Sequence, residues 1–333
     1  RMYPDKLSRV PASIYTNDEF KKTFYPVAAQ DLTIGGQLVG IPLMYDGLAL
    51  YYNVDLFNRA GLQPPTDWDQ FVKVARDLTV KNGDQVEIAG AAIGTSKNVD
   101  HWPDILSLLI LQNGGNPGSL AGATAQNTYD ALTFYSLFNY KYNVWNVNWP
   151  QDSEQFAMGK VGMFFGPSWQ VFNLQKIAKE NNVPLNFKII PVPQLPDTNV
   201  TWASYWVESV AAKSPNQQAA WEFVKYLSEK DTMQKMFDAQ SQSRVFGEIP
   251  SRRDMAEQFQ TNEYIWPYLS QAEAAKSYPL VSFTTDKNGI NDKFIQYYRE
   301  VVETSAKGTS PDAAFAKSAA GIQETSKTYG LPQ

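Results

Sequence analysis

Two hydrophobic periods alternate along this chain. Short apolar runs suited to strands stand between longer segments whose apolar residues recur every three or four positions, as on one face of a helix. The clearest helix follows Pro65-Thr66-Asp67-Trp68-Asp69, because Phe71, Val74, Ala75 and Leu78 fall at i, i+3, i+4 and i+7. Thr66 is placed to cap it, with an acid three residues on. Asp67 and Asp69, two acids in a first helical turn, read as partners of the helix dipole rather than as metal ligands. Ser214-Pro215 predicts a second helix with proline at its first position and Ala220, Trp221, Val224 and Leu227 on its apolar face. Ser310-Pro311-Asp312 repeats that device and opens an alanine-rich helix toward Thr328.

Strands are predicted over residues 38–43, 88–94, 161–165, 187–192 and 206–211. Tight turns fall at Gly35-Gly36, Asn82-Gly83 and Asn113-Gly114-Gly115. The run Pro191-Val-Pro-Gln-Leu-Pro196 can be neither helix nor central strand, since proline removes a donor and fixes φ, so it is expected to connect domains. Strands interleaved with helices predict an α/β chain, and no internal repeat or low-complexity tract interrupts it.

Composition narrows the chemistry. At 333 residues, 43% apolar and 19% charged, the chain can fill one large domain or two. A net charge of −5 offers no basic field for a phosphate backbone, so nucleic acid is not expected as a partner. The absence of cysteine excludes disulfides, thiolate metal sites and thiol nucleophiles, and a single histidine, His101, excludes a multi-histidine metal site. The longest apolar stretch, 105–111, is far too short for a membrane span. No apolar targeting segment follows Arg1-Met-Tyr-Pro-Asp-Lys6, so such a segment is expected to be absent or already removed.

No phosphate loop occurs, because Gly159-Lys160 is followed by Val161. There is no dinucleotide fingerprint at Gly35-Gly36, no nucleophile elbow and no His-Glu-x-x-His. Carboxylates are plentiful, so an acid/base pair stays open, although nothing marks one. His101 reads as a satisfied helix-start residue. The unusual figure is 14% aromatic with nine tryptophans, which either fill the core or line a binding surface.

A series of phrases in order carries more. It begins at Gly36-Gln-Leu-Val-Gly-Ile-Pro-Leu-Met-Tyr-Asp-Gly-Leu-Ala-Leu-Tyr-Tyr-Asn53 and continues with Asp55-Leu-Phe-Asn-Arg-Ala-Gly-Leu62 and Pro64-Pro-Thr-Asp-Trp-Asp-Gln-Phe71. Trp102-Pro, Asn113-Gly-Gly115, Phe156-Ala-Met-Gly-Lys-Val-Gly-Met163 and Gly166-Pro-Ser-Trp169 follow. Val210-Ala-Ala-Lys-Ser-Pro215 and Ile249-Pro-Ser-Arg-Arg-Asp254 complete it. From residue 1 to about 330 the chain resembles the extracellular solute-binding proteins of carbohydrate-uptake ABC importers, the group that includes maltose-binding protein. Members begin with a signal peptide and a first strand–helix–strand stretch; this chain enters after it, so roughly 60–80 residues are expected to be missing.

The resemblance implies a two-lobe periplasmic-binding-protein-like α/β fold with a hinge between lobes and a ligand cleft. Residues 1–45 with 207–283 would form an incomplete N-terminal lobe, and 46–206 with 284–333 the C-terminal lobe. It implies an extracytoplasmic monomer that binds a neutral oligosaccharide, delivers it to a membrane permease, needs no cofactor and meets the membrane through a lipid anchor outside this chain. Asp46 stands where the family places an acid against sugar hydroxyls, with Tyr45 beside it; the competing reading is a turn residue before Gly47. Trp102 matches a family tryptophan near the cleft, against a core contact at a helix start. Trp169 matches a tryptophan that stacks on sugar. Strand alternation would put Trp202, Trp206 and Glu208 on one face and Tyr205 on the other. Arg244 and Asp286 are cleft candidates set against solvated surface charges, and Trp145 and Trp149 sit in a loop that would rim the cleft. The alternatives are a carbohydrate-active enzyme using a carboxylate pair, which would cleave its sugar, and a sensory protein for a non-sugar solute.

Overall fold

The computed structural model describes residues 4–284, 287 and 289–331. Its contacts divide the chain into two units, Arg1–Gly47 with Ala203–Ser277 and Leu48–Trp202 with Tyr278–Gln333. Unit 1 opens with α1 (Asn17–Thr23), α2 (Pro26–Leu32), β1 (Thr33–Ile34), β2 (Gln37–Leu38) and β3 (Ile41–Pro42). Unit 2 follows with β4 (Ala49–Asn53), α3 (Val54–Ala60), α4 (Trp68–Leu78), β5 (Val80–Asn82), β6 (Gln85–Ala91), α5 (Trp102–Gln112) and α6 (Ala125–Tyr140). It continues through α7 (Asp152–Ala157), β7 (Val161–Gly166), α8 (Gln170–Glu180), β8 (Phe187–Ile190) and β9 (Thr201–Trp202). The chain returns to unit 1 for β10 (Val207–Glu208), α9 (Gln217–Leu227), α10 (Lys230–Ser241), α11 (Trp266–Leu269) and β11 (Ala275–Lys276), and ends in unit 2 with α12 (Ile290–Ser305) and α13 (Asp312–Thr328).

Unit 2 is built on a five-stranded sheet in the order β5-β6-β7-β4-β8, in which only β6 and β7 run parallel. Its central strands lack the alternation of a half-exposed strand: every residue of β7 is buried, as are four of the five in β4. Cover on both faces explains why β4 shows no period-two signal, and why the run before Asn53 goes unrecognised as a strand. Gly90 and Gly162 let α4 lie close on this sheet; a Cβ at Gly90 would collide with the Ala75 carbonyl.

The predicted α4 face holds, with Phe71, Val74, Ala75 and Leu78 all buried. Its cap is Asp67, however, whose carboxylate accepts the Gln70 N–H at 2.7 Å. Thr66 turns its own N–H and hydroxyl to the Gln70 side-chain oxygen Oε1 instead. α9 likewise starts two residues after Pro215, with Asn216 at its cap and Ser214 Oγ accepting the Asn216 N–H. The expected strand 38–43 splits at Gly40, where an added Cβ would meet Val207 Cγ1 at 2.5 Å. β2 therefore pairs with β1, and β3 with β10. The proline run 191–196 does not connect units. It lies inside unit 2, where Gln194 forms a parallel bridge with Asp67.

Unit 1 folds around Phe20, Phe24, Ile41, Trp221, Met233 and Met255. Four buried tryptophans have a paired indole N–H: Trp68 with Gln112 at 2.7 Å, Trp145 with Asn98 at 2.8 Å, Trp202 with Asp104 at 3.0 Å and Trp221 with Ser8 at 3.1 Å. Among the described residues no helix is long and apolar enough to cross a membrane.

Candidate functional site

In unit 2 the buried strand β7 runs out through Pro167 and Ser168 to Trp169, which caps α8. The Tyr51 hydroxyl fixes this turn by donating to the Pro167 carbonyl at 2.8 Å. Trp169 keeps 39% of its surface exposed, and Phe283 keeps 64%. Their ring centroids lie 5.4 Å apart, nearly perpendicular, and each meets the His101 imidazole, at 5.6 Å from Trp169 and 5.2 Å from Phe283.

A buried network holds this exposed pair. Gln170 Nε2 donates to His101 Nε2 at 3.0 Å, an orientation set by Asn173 Nδ2 donating to Gln170 Oε1, so the network assigns the imidazole proton to Nδ1. His101 Nδ1 faces Ser282 Oγ at 2.8 Å and Asp104 Oδ2 at 3.2 Å. Asp104 also accepts the Ser282 hydroxyl, the Ser282 N–H and, at 3.0 Å, the Trp202 indole N–H. Converging donors make a buried carboxylate tolerable here. Next in the chain to the anchored Ser282, Phe283 takes φ +55°, a left-handed conformation that bulky residues rarely adopt. Strain of this kind concentrates at functional sites.

In unit 1 a small cavity is lined by Tyr25, Pro42, Met44, Tyr45, Tyr205 and Ser251 among others. The Tyr25 and Tyr45 rings stand 5.0 Å apart. Tyr45 is pinned by its N–H to the Ile249 carbonyl at 2.8 Å, and Tyr205 donates to Asp31 Oδ2 at 2.6 Å, where Ser277 also donates. Burial pushes all three phenols above the usual tyrosine range, and for Tyr45 the neighbouring Tyr25 and Asp46 add to it. They are hydroxyl donors at any ordinary pH. The Tyr25 hydroxyl is buried without a hydrogen-bond partner, a deficit of about 1–3 kcal/mol that a polar guest would relieve.

The remaining expected positions divide by burial and partners. Asp46 is half-buried, and its Oδ1 accepts the Gly47 N–H at 2.8 Å. Gly47 itself lies in a bridge to Ala203 rather than at a tight turn. Trp102 is buried at the start of α5. Trp202 and Trp206 do not share a strand face: β9 ends at Trp202 and β10 begins at Val207, Trp202 is buried in unit 2, and Trp206 is 75% exposed in unit 1. Glu208 is exposed on β10. Arg244 is held locally by Glu248 at 2.8 Å and Gln240 at 3.1 Å. Trp145 is core, and Trp149 meets it edge to face at 5.7 Å. Asp286 lies outside the described residues. The sequence reading passed over Phe283, Asp104, Ser282 and Gln170; only Asp104 had a local signal, as an acid in the first turn of α5. Among the described residues no three His, Asp or Glu side chains come together as metal ligands.

The family model of bacterial extracellular solute-binding proteins matches residues 3–274. Over 234 residues the chain is 27% identical to a protein of Brucella abortus (strain 2308) described only as a binding protein, covering 66% of this chain and 54% of that one. Over 220 residues it is 23% identical to the multiple sugar-binding protein of Streptococcus mutans, covering 63% and 52%. The chain thus spans about half the length of these relatives. A solved cyclo/maltodextrin-binding protein complexed with maltotetraose superposes with a TM-score of 0.73 at 16% identity, over 97% of this chain and 78% of that one. That likeness establishes the two-lobe α/β fold of maltodextrin-binding proteins.

Proposed function

The chain belongs to the bacterial extracellular solute-binding proteins, and from that premise we propose that it is the sugar receptor of an ABC importer. In this reading it captures a neutral oligosaccharide outside the cytoplasm and hands it unchanged to a membrane permease, and units 1 and 2 are its two lobes. The observation that carries the reading is the exposed Trp169–Phe283 pair over the His101–Asp104–Ser282 network. Perpendicular rings offer apolar faces to the C–H faces of a pyranose, and the polar groups behind them keep the rings in place. In unit 1 the Tyr25, Tyr45 and Tyr205 hydroxyls and Asp46 are the groups suited to sugar hydroxyls. The sugar-binding names of the relatives support this choice of ligand class.

The experiment is calorimetric titration with a panel of neutral oligosaccharides, followed by analysis of the recovered sugar. Saturable binding with the sugar recovered intact supports a receptor. New reducing ends would replace it with a carbohydrate-active enzyme, and silence across the panel would move the ligand to a non-sugar class.

A further inference from the structure

A carboxylate pair in unit 2 lies outside the aromatic cluster and leads into it. The loop 95–101, which ends at His101, is tied down by Asn98. Its side chain donates to the Asn146 and Trp149 carbonyls at 3.0 and 2.9 Å and accepts the Trp145 indole N–H, while its carbonyl accepts the Asp152 N–H at 3.1 Å. Next along the loop, the Asp100 N–H donates to Asp152 Oδ1 at 3.0 Å. Oδ1 also accepts the Ser153 N–H at 2.9 Å, and Ser153 Oγ donates to Asp100 Oδ2 at 2.8 Å.

Asp152 is 1% exposed, and its second oxygen, Oδ2, meets no donor. The titratable groups that face it are the Asp100 carboxylate and, from α6, the Tyr135 phenol, whose hydroxyl is committed to the Thr95 carbonyl at 2.9 Å. Two ionised carboxylates would therefore meet as acceptors only, one of them fully buried. One proton resolves the conflict, because Oδ2–H becomes the missing donor and Asp100 its acceptor.

We propose that Asp152 is protonated at neutral pH and shares that proton with Asp100, forming a pH-sensitive latch on the loop that sets His101 beside Trp169 and Phe283. Burial, and then the Asp100 charge, hold the Asp152 carboxyl well above the usual carboxylate range, in agreement with the geometry. A carboxyl raised on folding contributes its stability fully below its unfolded value, and that contribution is lost as pH rises through the folded value. The latch thus weakens toward alkaline pH.

Asp152→Asn supplies the test, since the amide keeps a carbonyl for the two N–H groups and presents N–H to Asp100 at every pH. Melting temperatures of wild type and Asp152→Asn, compared from about pH 5 to about pH 9, should diverge as pH rises, with the variant gaining on the wild type by several degrees. Because His101 is the single histidine, its ring resonances report the loop without ambiguity. They should show an inflection in the wild type that the variant lacks. Parallel melting curves, or the same pH dependence of the His101 resonances in the two proteins, would overturn the latch. So would a rise in wild-type melting temperature with calcium or magnesium chloride that Asp152→Asn abolishes, because a cation would then fill the gap assigned to the proton. Should Asp152→Asn not fold, Asp100→Asn replaces the opposing charge with a donor and must move the inflection to lower pH; an unmoved inflection contradicts the proposal.

Discussion

The indole N–H of Trp202 donates to Asp104 Oδ1 at 3.0 Å, inside unit 2 and shielded from solvent. The same carboxylate holds the N–H and hydroxyl of Ser282, the chain neighbour of Phe283. A tryptophan whose type suggests sugar stacking therefore serves as a buried strut. Trp202→Phe leaves one lone pair of Asp104 unmatched and creates a small void, so unfolding in urea should show a loss of about 2–3 kcal/mol.

Phe283 carries the opposite balance. A left-handed backbone at a bulky residue costs on the order of 1–2 kcal/mol. Phe283→Gly removes that strain together with the exposed ring. Its melting temperature should equal or exceed that of the wild type while oligosaccharide affinity falls, and paired melting and titration experiments read both.

The tyrosines of unit 1 separate in the same way. Tyr205→Phe withdraws a donor from Asp31 and should cost about 1 kcal/mol in urea unfolding. Tyr25→Phe removes a buried hydroxyl that has no partner, so the protein should be unchanged or more stable. A fall in affinity confined to Tyr25→Phe would mark that hydroxyl as a ligand contact.

Gly90 tests the packing of α4 on the sheet. Even one methyl group there meets the Ala75 carbonyl, backbone against backbone, so Gly90→Ala should destabilise by about 3 kcal/mol or more. Recovery of soluble protein and its melting temperature check this.

Helix faces were legible in the sequence because apolar spacing records burial directly: Phe71, Val74, Ala75 and Leu78 of α4 are all inside. Helix starts were less so. Thr66 and Asp67 are both competent caps; the Gln70 N–H goes to Asp67, while the Gln70 side chain bonds to both residues. β4 stayed hidden because burial on both faces erases alternation. At the candidate site Trp169 was visible from its phrase, yet its companion Phe283 was not, since nothing local to Ser282-Phe283 announces contact with His101 some 180 residues earlier in the chain. Tryptophan type alone did not separate the exposed Trp169 from the buried Trp102 and Trp202, because a large apolar ring serves either setting.

The central claim is that Trp169 forms the stacking surface of a sugar receptor. Its most direct test is tryptophan fluorescence and thermal melting of wild type and Trp169→Ala with neutral oligosaccharides. A ligand at about 100 times its Kd should stabilise the wild type by about 2.7 kcal/mol. The account predicts a fluorescence change and a melting shift with one sugar class, and a loss of at least about tenfold in affinity, ~1.4 kcal/mol, in Trp169→Ala with its unliganded melting temperature preserved. Equal affinity in the two proteins would contradict it.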